Sequence, residues 1–375
     1  MGERLGIIRE YVKTTDKLML AICIVISSFS CILMCSVYYA GFTNGNKRII
    51  IMQGLCAVLG LIGAIIVSLL DYQVIVKLWP FFTGAAVLLM LLLFTPLAYT
   101  PEGSDDAAWL RIGFFSFQPS EVLKMAFIYT FSLHLSRVKE KINIFSTFLL
   151  LCVHGAIPTL FVMITGDYGS ALVFFAIFVV MIFTAGLSWK YMAIGVAGLG
   201  IATPIVWNML PDYLKERFYV AWDPAKDMLD KGYQQYKGQI ALGSGELFGR
   251  GLFPDENLYY VPECYNDFIF SYIGQTLGFV GCVVTILLLT VLLVKILFTA
   301  KKSKDDLGTY ICVGVFAVIL FQAVINIGMV LCVIPIIGIT LPFVSYGGTS
   351  LVVSYVSIGM VLGVYRHNYH EMMFD

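Results

Sequence analysis

The sequence predicts an all-α integral membrane protein: ten transmembrane helices, a long extracytoplasmic loop between the seventh and eighth, and a re-entrant segment before the tenth. Three observations predict it. The first is composition: the 375 residues are 59% hydrophobic and only 13% charged, whereas a soluble domain is roughly 45–50% apolar and about 25% charged. So little polar surface cannot cover a water-soluble particle, and most of the chain must be dissolved in lipid. A cytosolic enzyme and a disordered chain are thereby excluded. The second is a series of apolar stretches near the length of about 20 residues that a spanning helix needs. The third is the uneven placement of the cations.

In order, the expected spans are 18–40, 49–70, 74–99, 120–136, 145–165, 169–187, 191–209, 267–294, 308–334 and 350–365. The first follows Arg4, Glu10, Lys13, Asp16 and Lys17 and is longer than the core of a signal peptide, so it is expected to stay as a helix. The fourth opens on Gln118-Pro119-Ser120-Glu121 and carries Lys124 and His134; Pro119 suits a first helical position. Residues 100–119 alternate charge and aromatics (Asp105, Asp106, Trp109, Arg111, Phe114, Phe115, Phe117), as an interfacial segment would. Residues 210–266 are far longer than a connector requires. Their aromatics, Tyr219, Trp222, Tyr233, Tyr259 and Tyr260 among them, argue for order. Over 335–349, Pro335, Pro342 and Gly347-Gly348 interrupt an apolar run, which suits an unwound segment buried in protein. With no internal repeat, residues 1–375 read as a single polytopic domain.

With the N-terminus in the cytoplasm, the inner segments hold 14 of the 24 Lys and Arg residues, from Arg4 and Arg9 through Lys139 and Lys301 to Arg366. Nine fall outside, six of them in the long loop, and Lys124 lies within a span. Long loops count least in the positive-inside rule. A multi-pass protein of the plasma membrane with both termini cytoplasmic is the expectation. Lys plus Arg equals Asp plus Glu, 24 against 24, which gives no electrostatic footprint for nucleic acid.

Chemistry is narrowed by what is missing. Eight of the nine cysteines lie in apolar runs and read as small hydrophobes, with Cys264 alone in a polar stretch. His134, His154, His367 and His370 are scattered, unlike a metal site or a triad, and there is no P-loop. Carboxylates, Lys and Arg remain, acting on a substrate that brings its own leaving group. Gln118, Glu121 and Lys124, spaced by three, share one side of a helix start. Glu121 either favours the helix N-terminus or serves a site; Lys124 either snorkels to the interface or is a buried functional charge. Asp167 and Asp267 each open a span and read as N-caps or as site acids. Glu263 is four residues before Asp267, so the two would share a face if the eighth helix began early, a pairing suited to acid–base work. The Gly243-Ser244-Gly245-Glu246 stretch reads as a flexible turn.

Several stretches together resemble the SEDS family (shape, elongation, division and sporulation). They are Phe117-Gln118-Pro119-Ser120-Glu121 with Lys124, Gly166-Asp167-Tyr168-Gly169-Ser170, Ile240-Ala241-Leu242-Gly243-Ser244-Gly245, and Pro262-Glu263 with Asp267-Phe268-Ile269-Phe270. Asn326-Ile327-Gly328-Met329, Pro335, Gly338 and Leu341-Pro342-Phe343-Val344-Ser345-Tyr346-Gly347-Gly348 complete the series. The resemblance implies a peptidoglycan glycosyltransferase that polymerises lipid II at the outer leaflet beside a class B penicillin-binding protein, in elongation, division or sporulation. It also implies Asp267 as the catalytic carboxylate, with Glu263 tuning it, and Trp109, Gln118, Glu121, Asp167 and Ser345 around the substrate cavity. Lys124 and Arg111 would supply positive charge to a diphosphate. A divalent cation, Mg or Mn, bridging that diphosphate and Asp167 is compatible with hard oxygen ligands. The chain departs from the family pattern at Ala108, Lys237, Gly238, Gln275 and Thr276. Two other functions fit ten spans and broken helices: a flippase for lipid-linked precursors, and a scaffold that recruits cell-wall enzymes.

Overall fold

A computed structural model describes residues 10–11, 13–100, 108–113, 115–227, 232–253 and 258–374. Arg4, Arg9, Asp105, Asp106 and Phe114 lie outside the described residues. Among the described residues, seven helices are long and apolar enough to cross a membrane: α1 (Lys17–Tyr39), α2 (Arg48–Leu69), α6 (Phe145–Ile164), α8 (Trp189–Met209), α11 (Ile269–Lys301), α12 (Asp306–Val330) and α13 (from Gly348). Short α3 (Tyr72–Lys77) leads into α4 (Trp79–Leu91), which continues as an apolar helix to Phe94, and α7 (Tyr168–Thr184) is of similar length. The charged helix is α5 (Pro119–Val138), with Pro119 in its first turn as its sequence dictates.

The helices sort by how much of them is covered. About four fifths of the apolar stretch of α13 and two thirds of that of α12 are buried, whereas none of that of α8 is; α13 and α12 form the centre of the bundle and α8 its edge. Close helix contact uses small residues, as expected where lipid removes the hydrophobic drive. A Cβ on Gly359 of α13 would stand 2.6 Å from the Ala64 carbonyl of α2, so only glycine allows these backbones to meet. Tyr355 of α13 adds hydrogen bonds to Ser27 (2.6 Å) and to the Cys23 carbonyl (3.1 Å) of α1.

The fold is helical, as expected, with one small sheet added around residues 98–117. Ala98–Tyr99, Trp109–Ile112 and Phe115–Phe117 form a three-stranded antiparallel sheet, β1 to β3, with Leu110 opposite Phe117 and Arg111 opposite Ser116. Alternation of period two is a strand pattern: Leu110 faces inward at 2% exposure and Arg111 faces out. The turn between β2 and β3 uses Gly113 at φ +60°.

Residues 210–266 contain α9 (Asp212–Trp222), a 3-10 turn (Pro224–Asp227) and α10 (Tyr233–Ser244). The Gly-Ser-Gly-Glu stretch is not a flexible turn. It docks on a break in α11, where Gly278 leaves the helical region at φ +65°. A break in a helix frees backbone groups that need partners, and the loop supplies them. Arg250 and Gly251 N–H donate to the Gln275 and Thr276 carbonyls, each at 2.9 Å, while Phe279 and Val280 N–H donate to Glu246 (2.8 Å) and Leu247 (3.1 Å). A Cβ on Gly245 would lie 1.8 Å from the Gly274 carbonyl, so the clamp closes only on glycine.

After Val330 the chain runs without helix until Gly348. Ile339, Leu341, Phe343, Val344 and Ser345 of this stretch are buried, and buried non-helical backbone must find side-chain partners. Gln235 donates to the Met329 (3.1 Å) and Ile334 (3.0 Å) carbonyls, Ser30 to Val344 (2.5 Å) and Gln53 to Ser345 (3.1 Å). Polar side chains from α1, α2 and α10 thus hold the unwound stretch.

Candidate active site

Two polar groups converge at the end of the bundle that carries α10 and the unwound stretch. The first joins α5 to α7. Gln118 stands just before α5 in extended conformation, and its Nε2 donates to Asp167 Oδ2 at 2.8 Å. Ser120 Oγ donates to the same oxygen at 3.1 Å, and Ser170 N–H to Asp167 Oδ1 at 2.9 Å. Asp167 is therefore the N-cap of α7 and, at 4% exposure, also the node that fastens two helices together. One turn further along α5, Lys124 Nζ pairs with Glu121 Oε1 at 2.7 Å, the two side chains 1% and 6% exposed. Lys124 does not snorkel. Leaving either charge alone in so dry a place is strongly unfavourable, so the pair acts as a neutral unit.

The second group surrounds Asp267. The N-cap of α11 is Phe268, one residue later than expected, so Asp267 is not the cap of that helix. Nor does the helix begin early enough to place Glu263 and Asp267 on one face. Glu263 sits in a turn at φ +53°, exposed, and accepts a short hydrogen bond from Asn266 Nδ2. Burial, with the Glu263 carboxylate beside it, pushes the Cys264 thiol up to about 12. The same burial disfavours the Cys264 thiolate. Ser345 is buried; its hydroxyl donates to the Asn266 carbonyl (2.7 Å) and accepts from Leu341 N–H (2.8 Å). It fixes the backbone beside Asp267.

What joins the two groups is the unwound stretch. A Cβ on Gly169, in the first turn of α7, would meet the Ile337 carbonyl at 2.3 Å, and one on Gly338 would stand 3.6 Å from Asp267 Oδ2. Residues 337–339 are thus layered between the Asp167-capped start of α7 and the Asp267 carboxylate. Thr349, in the first turn of α13, accepts from Gln118 N–H at 3.4 Å and donates to the Ser116 carbonyl at 3.1 Å, bringing β3 into the same assembly.

Other expected residues stand differently. Trp109 is half-buried on β2. The Arg111 guanidinium lies over the Tyr99 ring at 5.1 Å, and that of Arg250 over Tyr259 at 5.1 Å, as cation–π pairs. Gly238 is a departure with a structural reason: a Cβ there would press on the Phe268 ring at 2.8 Å. Sequence reading missed the roles of Asn326, which it held only as part of a family stretch, and of Gln235, a lone amide in the long loop. It also left His134 and His154 apart, whereas their Nδ1 atoms lie 3.0 Å from each other across α5 and α6.

A polytopic helical bundle with carboxylates and a buried lysine gathered at one end, around an unwound segment, is a membrane-embedded enzyme or carrier in class. Residues 14–370 match the FtsW, RodA and SpoVE family, described as cell cycle proteins, and the chain belongs to that family. It is 31% identical over 363 residues to the probable peptidoglycan glycosyltransferase FtsW of Geobacter sp. (strain M18), covering 93% of this chain and 96% of the relative. To stage V sporulation protein E of Bacillus subtilis (strain 168) it is 31% identical, over 84% of this chain and 86% of the other. Among solved structures, a chain described under structural coordination of polymerization and crosslinking by a peptidoglycan synthase complex superposes with a TM-score of 0.80. The identity is 25%, with 95% and 98% of the two chains covered.

Proposed function

We propose that this chain is a peptidoglycan glycosyltransferase that polymerises lipid II at the outer face of the bacterial plasma membrane. The observation that carries the mechanism is the Asp267 carboxylate, held against the unwound Gly338 backbone opposite the start of α7. The donor sugar is already activated by its diphosphate, so the protein has to orient two lipid-linked sugars, take a proton from the acceptor hydroxyl and favour departure of the leaving group. Asp267 accepts that proton. The hydroxyl oxygen bonds to the anomeric carbon as its bond to the diphosphate oxygen breaks, and attack from the opposite side inverts that centre. Glu263, on the exposed turn, bears on the approach to Asp267 rather than on the proton itself. Trp109, Gln118 and Arg111 border the substrate. Lys124 reaches a diphosphate only by exchanging it for Glu121, which links donor binding to the α5 helix start.

A divalent cation finds no ready-made cage. Asp167 already accepts from Gln118, Ser120 and Ser170, and no group of three His, Cys, Asp or Glu suited to a metal stands together among the described residues.

Ten crossings follow if the seven long helices are joined by the two shorter apolar ones and by α5, whose charges are neutralised within the bundle. Both termini then lie in the cytoplasm, and α10, the sheet and Asp267 face outward. A class B penicillin-binding protein is the partner in this reading; the 0.80 TM-score to a chain of a peptidoglycan synthase complex supports it. The test is to incubate the detergent-purified chain, with and without such a partner, with labelled lipid II. Glycan strands are expected; lipid II translocated in vesicles but never polymerised would instead identify a flippase, and neither activity a scaffold.

A further inference from the structure

Asn326 stands four residues before the end of α12 and is fully buried. Its Nδ2 donates to the Asp267 carbonyl at 2.8 Å and to the Ile339 carbonyl at 2.7 Å. Two acceptors on one side decide the orientation of the amide, because an oxygen there would face only lone pairs. Its Oδ1 has no hydrogen-bond partner among the described residues. An unsatisfied buried carbonyl costs about 1–3 kcal/mol, a penalty an apolar side chain would not carry. The amide is therefore kept for what Nδ2 holds.

What it holds is the junction between Asp267 and the unwound stretch. Ile339, next to Gly338, is fastened by the amide, and the Asp267 carboxylate stands 3.6 Å from where a Cβ on Gly338 would be. Gly338 itself sits at φ +65°. We propose that Asn326 is a positioning residue for glycosyl transfer: by tying the Asp267 and Ile339 carbonyls to one amide, it fixes the Asp267 carboxylate against residues 338–339. This rests on the reading of Asp267 as the base. Displacing a reacting group by about 1 Å can lower a rate by about a hundredfold, so the tie acts on turnover more than on substrate affinity.

The test uses the full-length chain purified with its penicillin-binding partner, with lipid II titrated and binding stoichiometry measured alongside. Asn326→Ala is expected to lower kcat roughly 10- to 100-fold, with KM within about threefold and lipid II stoichiometry unchanged. Asn326→Ser, which keeps one donor, should fall between Asn326→Ala and the wild type. Added to Asp267→Asn, the Asn326→Ala change should cause no further loss, because both act through one group. Wild-type kcat in Asn326→Ala, or a loss that follows the number of binding sites, overturns the proposal. If Asn326→Ala does not fold, Asn326→Ser decides in the same way: reduced kcat at full stoichiometry supports the tie, unchanged kcat overturns it. Asp267→Asn separates the two claims. Wild-type turnover in that variant removes the base and the positioning role together; an inactive Asp267→Asn beside an unaffected Asn326→Ala removes the positioning role alone.

Discussion

At the scale of single residues, the Glu121–Lys124 pair is the charge whose surroundings matter most. At 2.7 Å and with side chains nearly sealed from solvent, the two neutralise each other, and removal of one strands the other. Glu121→Gln or Lys124→Met alone should cost about 3–5 kcal/mol, while the double change is much milder; thermal unfolding in detergent measures both. If Lys124 also takes the donor diphosphate, the double variant will fold and still lose affinity for lipid II. Unchanged affinity in that folded variant would contradict the ligand role. Sequence alone made these two residues visible, because charges inside an apolar run stand out. It could not make the role of Asn326, visible only within a family stretch, or of Gln235 legible. A lone amide carries no periodic pattern, and their partners are backbone carbonyls freed where α12 ends and before α11 begins.

At the scale of elements, two breaks shape the site, one at Gly278 within α11 and one after Val330. The first is sealed by backbone hydrogen bonds from residues 246–251. Gly245→Ala would drive a Cβ into the Gly274 carbonyl, forcing the clamp off the helix; a loss of roughly 1–3 kcal/mol and faster amide exchange at Gln275 to Val280 are the expected outcomes. Protection equal to the wild type would contradict the clamp. Here the sequence misled for a physical reason: glycine-rich stretches are flexible in isolation, and close packing of glycine on glycine leaves no mark in one dimension. The strands of residues 98–117 were obscured similarly. Alternation of polar and apolar residues suits both a sheet and a membrane surface, and only pairing of Leu110 with Phe117 distinguishes them.

At the scale of the whole molecule, the apolar runs and their cations made most of the architecture readable. The family match over 14–370 extends from the start of the bundle almost to its end. Ion pairs between Lys295 and Asp16 and between Lys139 and Asp306, each at 2.5 Å, gather at the end opposite the candidate site, as the proposed orientation requires. Single cysteines in a cysteine-free background provide the check. A cysteine at Lys304 should react with a membrane-impermeant thiol reagent only in inverted vesicles, and one at Asp223 only in intact cells; the reverse pattern would contradict cytoplasmic termini.

The most direct measurement of the central claim is the length of glycan made from lipid II by Asp267→Asn, purified with its partner beside the wild type. The account predicts a folded variant that binds lipid II and yields no polymer. Strands of wild-type length and amount would contradict it.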